Sequence, residues 1–150
     1  MKKLFAALLA ALLIFGTAAA DPVYVLCQPD SWVNVRLFPR KGSTEIGRVE
    51  LGQELETDGV RKNGFLHLIN LAFESDDGWI SAGFVTFCPV RVYTTCGQIN
   101  ARGRVACRRS INGTRRRWLK DGQNLTIYAW SDDWSITNQG FIQTRFIGGF

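Results

Sequence analysis

Side chains able to carry chemistry are few in this chain. It holds one histidine, His67, and four cysteines, Cys27, Cys88, Cys96 and Cys107, in 150 residues. Ser-His-Asp catalysis needs a histidine base. His67 lies inside the apolar run Phe65 to Leu71 and reads as structural. Paired carboxylates for acid–base work could come from Glu74, Asp76 and Asp77, or from Asp132 and Asp133, but these stand among turn residues and read as loop solvation. Glu54 and Glu56 share one strand face by their spacing and read as solvent-facing. Zinc needs more ligands than one histidine and cysteines without a C-x-x-C spacing. The chain has no Gly-rich phosphate loop. The expectation is no catalytic residue, no metal and no cofactor.

Binding chemistry is better represented. Residues 21–87 hold 6 basic and 10 acidic side chains, net −4, and residues 88–150 hold 10 basic and 3 acidic, net +7. Arg104, Arg108, Arg109, Arg115, Arg116, Arg117 and Lys120 fall within 17 residues, with Trp118, Trp130 and Trp134 nearby. A basic surface with aromatics suits a polyanion, nucleic acid included. The competing reading makes Arg115 to Arg117 one solvated turn and the tryptophans core. Asn112 and Asn124 each head an Asn-x-Thr triplet, an acceptor pattern for glycans in a eukaryotic host.

The compartment follows from the first residues. Lys2 and Lys3, the apolar run Leu4 to Phe15 and Ala18-x-Ala20 make residues 1–20 read as a signal peptide cut before Asp21. The product is expected to be secreted or held at the cell surface, with no transmembrane segment once the leader is gone. That setting disfavours nucleic acid as partner. It also permits disulfides, and four cysteines allow three pairings. Residues 21–150 are too few for a Rossmann or barrel enzyme with its repeated strand–helix units.

The elements that must position these residues read as strands. Val23 to Cys27, Trp32 to Arg36, Glu45 to Val49, Glu54 to Val60 and Phe65 to Leu71 are short, β-branched or aromatic, and bounded by turns. Asn63-Gly64 is a type I′ hairpin signal. The pattern then recurs. Val33-Asn-Val-Arg36 stands 72 positions before Val105-Ala-Cys-Arg108, and Gly52-x-x-Leu55 stands 70 before Gly122-x-x-Leu125. Asn63-Gly-Phe65 stands 69 before Asp132-Asp-Trp134, and Gly78-Trp-Ile80 stands 62 before Gly140-Phe-Ile142. Order is kept while loops shorten, as surface loops tolerate. The reading is two copies of one unit, over residues 21–87 and 88–150, packed together with almost no linker.

Val33-Asn-Val-Arg36 with Pro39, Ile46-Gly47, Gly52, Asn63-Gly64, Gly78-Trp79 and Phe84 resembles the motif of bacterial SH3 (SH3b) domains. The second copy is similar but divergent: Ala106 replaces Asn34, Cys107 replaces Val35 and Phe141 replaces Trp79. The resemblance implies an all-β fold of two tandem SH3-like small β-barrels without catalytic residues of their own. In such a barrel the ends lie close, which implies Cys27–Cys88 and, as its companion, Cys96–Cys107. It also implies a non-catalytic secreted binding module for cell-wall or cell-surface material. The partner would be a cell-wall glycan or peptide, an anionic surface polymer or a surface protein. The alternatives are an adaptor docking to a partner protein and a small secreted hydrolase. Two ligand surfaces are expected beside the long loops. One is aromatic and acidic, at Trp32, Phe38, Phe73 and Trp79. The other is cationic, at Arg115, Arg116, Arg117 and Trp134.

Overall fold

The computed structural model describes residues 19–149. The leader expected over residues 1–20 lies, but for its last two residues, outside the described residues. The remainder is all-β. The first sheet comprises β1 (Asp21–Val25), β2 (Trp32–Arg36), β3 (Glu45–Glu50), β4 (Glu54–Lys62), β5 (Phe65–Ile69), β6 (Gly78–Ser81) and β7 (Val85–Thr86). The second comprises β8 (Arg91–Ile99), β9 (Val105–Arg108), β10 (Arg115–Leu119), β11 (Asn124–Trp130), β12 (Trp134–Thr137), β13 (Gly140–Gln143) and β14 (Ile147–Gly148). A single 3-10 turn precedes the last strand of each, at Ala82–Phe84 and Thr144–Phe146. No helix among the described residues is long and apolar enough to cross a membrane.

Both sheets are antiparallel and seven-stranded. Their orders are β3-β2-β6-β5-β4-β1-β7 and β10-β9-β13-β12-β11-β8-β14, so the second repeats the first strand for strand. The ladders do not close into barrels: β3 and β7, and likewise β10 and β14, are free edges. Local sequence explains the register. In β2, Val33 and Val35 point inward while Trp32, Asn34 and Arg36 point outward, the period-2 alternation of a half-buried strand. The β4–β5 hairpin turns at Asn63 and Gly64, with φ of 52° and 79°. Two positive φ values are what a type I′ turn requires. They bring Lys62 opposite Phe65.

The first sheet wraps a core of Val23, Val25, Val35, Leu66, Leu68 and Ile80, all without solvent exposure. The second has its own cluster around Ile99, Val105, Cys107, Leu119 and Ile142. A third cluster joins the sheets: Leu26, at the end of the first strand segment, packs with Ala129, Trp134, Ile136 and Phe141. Phe84 packs against it, its ring 5.9 Å from that of Phe141 in an edge-on arrangement. Polar ties cross the same junction. Ile111 N–H donates to Gly83 O at 2.8 Å, and Gln28 Nε2 donates to Thr137 O at 3.2 Å. The sheets are therefore fixed to each other by apolar packing and by hydrogen bonds.

The expected disulfides are not made: all four cysteines are free thiols. Cys27 is turned into the first core and Cys107 into the second. Cys107 Sγ donates to Gln139 O at 2.9 Å. Cys88 Sγ lies 3.2 Å from Asp133 Oδ2, and Cys96 is exposed on β8. Cys27, Cys88 and Cys107 are thus engaged away from their expected partners, and Cys96 faces solvent.

Candidate functional site

A cleft of about 950 Å³ opens between the two sheets. Its wall on one side is the outer face of β2, which the alternation just described supplies with Trp32, Asn34 and Arg36. Lys41, Asn63 and Ser81 extend that wall, and the other side carries Arg108, Arg109 and Arg116. Phe65, Phe84, Gly140 and Phe141 also line it. Gly140 has φ of 130°, and a Cβ there would come within 2.7 Å of Arg108 O, so only glycine fits.

Charge distinguishes this cleft. Five cations line it, Arg36, Lys41, Arg108, Arg109 and Arg116, and no carboxylate does. Arg36 lies 3.5 Å from Glu45. The other four make no ion pair among the described residues. Three of the five have structural work in addition. Arg36 Nη1 donates to Ser43 O and Arg108 Nη1 to Gly113 O, each at 2.8 Å, so the recurring arginine ties down the loop after its strand in both copies. Arg116 Nη1 donates to Gln139 O at 3.3 Å. Lys41 and Arg109 are exposed and uncommitted.

Trp32 forms the aromatic part of the wall. It is 50% exposed, and the Arg48 guanidinium stands 4.6 Å over its ring. Asn34 donates its side-chain amide to Glu45, while its own Oδ1 is buried without a donor.

The structure brings together only part of the expected set. Trp32 and Arg116, placed by sequence on two separate surfaces, line the same cleft. Phe38 is 53% exposed but stands outside the lining. Phe73, expected as an exposed loop aromatic, packs against the first core. Trp79 stacks on His67 at 4.7 Å between centroids, tilted by 45°. Trp134 is 6% exposed and belongs to the core joining the sheets, so it forms no part of a surface. Arg115 to Arg117 are not a turn. They open the edge strand β10, whose register with β9 shifts between Arg115 and Arg117, and the resulting bulge leaves all three exposed. Arg115 lies 4.6 Å over the ring of Trp118, and Arg117 Nη1 donates to Gln139 Oε1 at 2.8 Å.

Lys41, Asn63, Ser81 and Arg109 were missing from the expected site. A faint signal existed for Arg109, which sits in the basic segment, and for Arg36 and Arg108, which recur at one spacing. Lys41 carried none, because nothing local marks a lysine in the turn after β2 as facing a cleft between two sheets.

The titratable groups elsewhere are held by local contacts. His67 Nδ1 lies 2.8 Å from Asp58 Oδ2, and its Nε2 lies 3.7 Å from Asp77 Oδ2. Burial works against the charge of Asp58. The Val60 N–H and His67 outweigh it and hold the carboxyl below its ordinary range. Burial, with the negative charge of Glu50 adding to it, pushes the Cys27 thiol up to about 11. The hydrogen bond to Asp133 raises Cys88, followed by burial. Burial also raises Cys107, against the opposing charges of Arg116 and Arg117.

No protein-family model matches the chain, and no curated protein sequence does. Two solved structures are similar to it at low identity. NlpC2 from Trichomonas vaginalis is 14% identical, with a TM-score of 0.38, over 89% of this chain and 49% of its own. NlpC1 from Trichomonas vaginalis is 16% identical, with a TM-score of 0.37, over 88% and 46%. The chain thus spans about half the length of those two proteins.

Proposed function

We propose that this protein is a non-catalytic, exported binding module of SH3b type that holds anionic cell-surface material in the cleft between its sheets. One observation carries the reading: five cations converge on the cleft with no carboxylate in its lining. A single exposed ion pair contributes ~1 kcal/mol or less. A cleft of this kind therefore grips a ligand with several charges and discriminates against small monovalent anions. The fixed junction supports the reading, since a preformed cleft loses little ordering entropy on binding.

Binding to purified sacculi, with and without their anionic wall polymer, tests it. The comparison is between the wild type and the triple variant Lys41→Ser, Arg109→Ser, Arg116→Ser, at low and at high salt. Retention should require the polymer, fall as salt rises and be lost in the variant. Equal retention of both proteins would remove the cleft from the function.

An adaptor role is the second reading. Phe87, in the segment joining the sheets, and Val92 and Tyr93, at the start of β8, are large and exposed. Large apolar groups left exposed suit a partner protein.

A further inference from the structure

We infer that the cleft is built for a linear acidic glycan, a chain of sugar rings bearing carboxylates, rather than for an acidic peptide. The inference rests on the reading of the cleft as an anion site and adds the chemistry of the ligand between its charges.

Two features of the lining point there. The first is Trp32. Arg48 occupies one face of the indole, yet Trp32 remains half exposed and lines the cleft. A flat apolar face beside cations matches a sugar ring, whose C–H faces are apolar and whose substituents are charged.

The second feature is hydroxyl chemistry. Ser31 and Ser81 line the cleft, and neither hydroxyl has a protein partner among the described residues. The amides of Gln28 and Asn63 are oriented by donating to Thr137 O and Pro39 O, which leaves an acceptor oxygen on each. Hydroxyl groups act as both donor and acceptor, so a polyol satisfies such a mixed set.

Titration of the whole exported protein with three probes of matched charge tests this: oligogalacturonate, poly-glutamate and single-stranded oligothymidylate. Oligogalacturonate should bind about tenfold tighter than either other probe, the range an aromatic stacking contact supplies. Trp32→Ala, at a half-exposed position outside the first core, should remove that advantage and leave poly-glutamate binding unchanged. Trp32→Tyr should restore most of it. The triple variant Lys41→Ser, Arg109→Ser, Arg116→Ser should weaken all three probes. Equal or tighter binding of poly-glutamate or oligothymidylate overturns the glycan inference, as does a Trp32→Ala loss shared equally by all probes. In both cases salt-dependent binding lost in the triple variant leaves the anion reading standing. If the triple variant binds every probe as the wild type does, the anion reading itself falls.

Discussion

Phe73 lies directly against Gly47: a Cβ on Gly47 would stand 2.5 Å from the Phe73 ring. A side chain in the long loop between β5 and β6 thus fills the space that a glycine in β3 leaves open. The loop is fastened to the first core by that contact and by Leu71 N–H, which donates to Asp76 O at 2.9 Å.

Gly47→Ala should therefore destabilise the protein by about 1–3 kcal/mol, as overpacking does. The ring is half-buried and can yield, which keeps the effect out of the upper range. Denaturant unfolding of Gly47→Ala, Phe73→Ala and the double variant would show it. In the double variant the cost of the added methyl should largely vanish, since the ring it strikes is gone. Additive effects of the two changes would refute the contact.

Asp58 sets an acid limit on the same region. Its carboxyl is held below the ordinary range in the folded chain. A group depressed in this way adds stability above its unfolded value of about 3.9. That stability is lost as pH falls through the lower folded value. Asp58→Asn should accordingly be less stable than wild type at neutral pH and approach it in strong acid. Urea midpoints at pH values on either side of the carboxylate range measure the gap. A gap of constant size across that range would rule out the linkage.

The thiols should separate by reactivity. With its thiol at about 11, Cys27 carries roughly one thiolate per thousand molecules at pH 8. Cys107 is raised and fully buried as well. Cys96, exposed on β8, should be alkylated first in the folded protein, and Cys27 and Cys107 only on unfolding. Peptide mapping after a brief native alkylation gives the order. Labelling of Cys27 as fast as Cys96 would contradict the burial described above.

The strand pattern was legible in residues because burial on one face writes itself as alternation. Val33 and Val35 inward with Asn34 and Arg36 outward is visible without coordinates, and so is the Asn63-Gly64 turn. The core position of Trp134 was also within reach. The repeat aligns it with Phe65, and both prove buried. Its nearness to a basic segment in sequence argued for a surface instead. β10 was hidden for a physical reason. An edge strand with a bulge exposes consecutive residues, so Arg115, Arg116 and Arg117 show no alternation to read. The cleft was hidden more deeply. It joins Trp32 to Arg116 across the packing of two sheets, and local sequence carries no record of that orientation.

Leu26 provides the last test, because it belongs by sequence to the first copy and by packing to the cluster under the second. It is fully buried, and its N–H donates to Phe84 O at 2.8 Å. The cluster around it includes Trp134, Ile136 and Phe141 from β12 and β13. A shared core makes the two sheets a single cooperative unit, since neither buries these side chains alone. Leu26→Ala should cost about 2–5 kcal/mol, the range for a buried leucine whose cavity cannot collapse fully. The loss should appear in both sheets at once. Alkylation of Cys27 reports opening of the first sheet and alkylation of Cys107 opening of the second, so the two should become accessible at the same denaturant concentration in wild type and variant. If Leu26→Ala instead shifts the exposure of one cysteine and leaves the other in place, the sheets unfold independently and the junction is a contact between separate bodies.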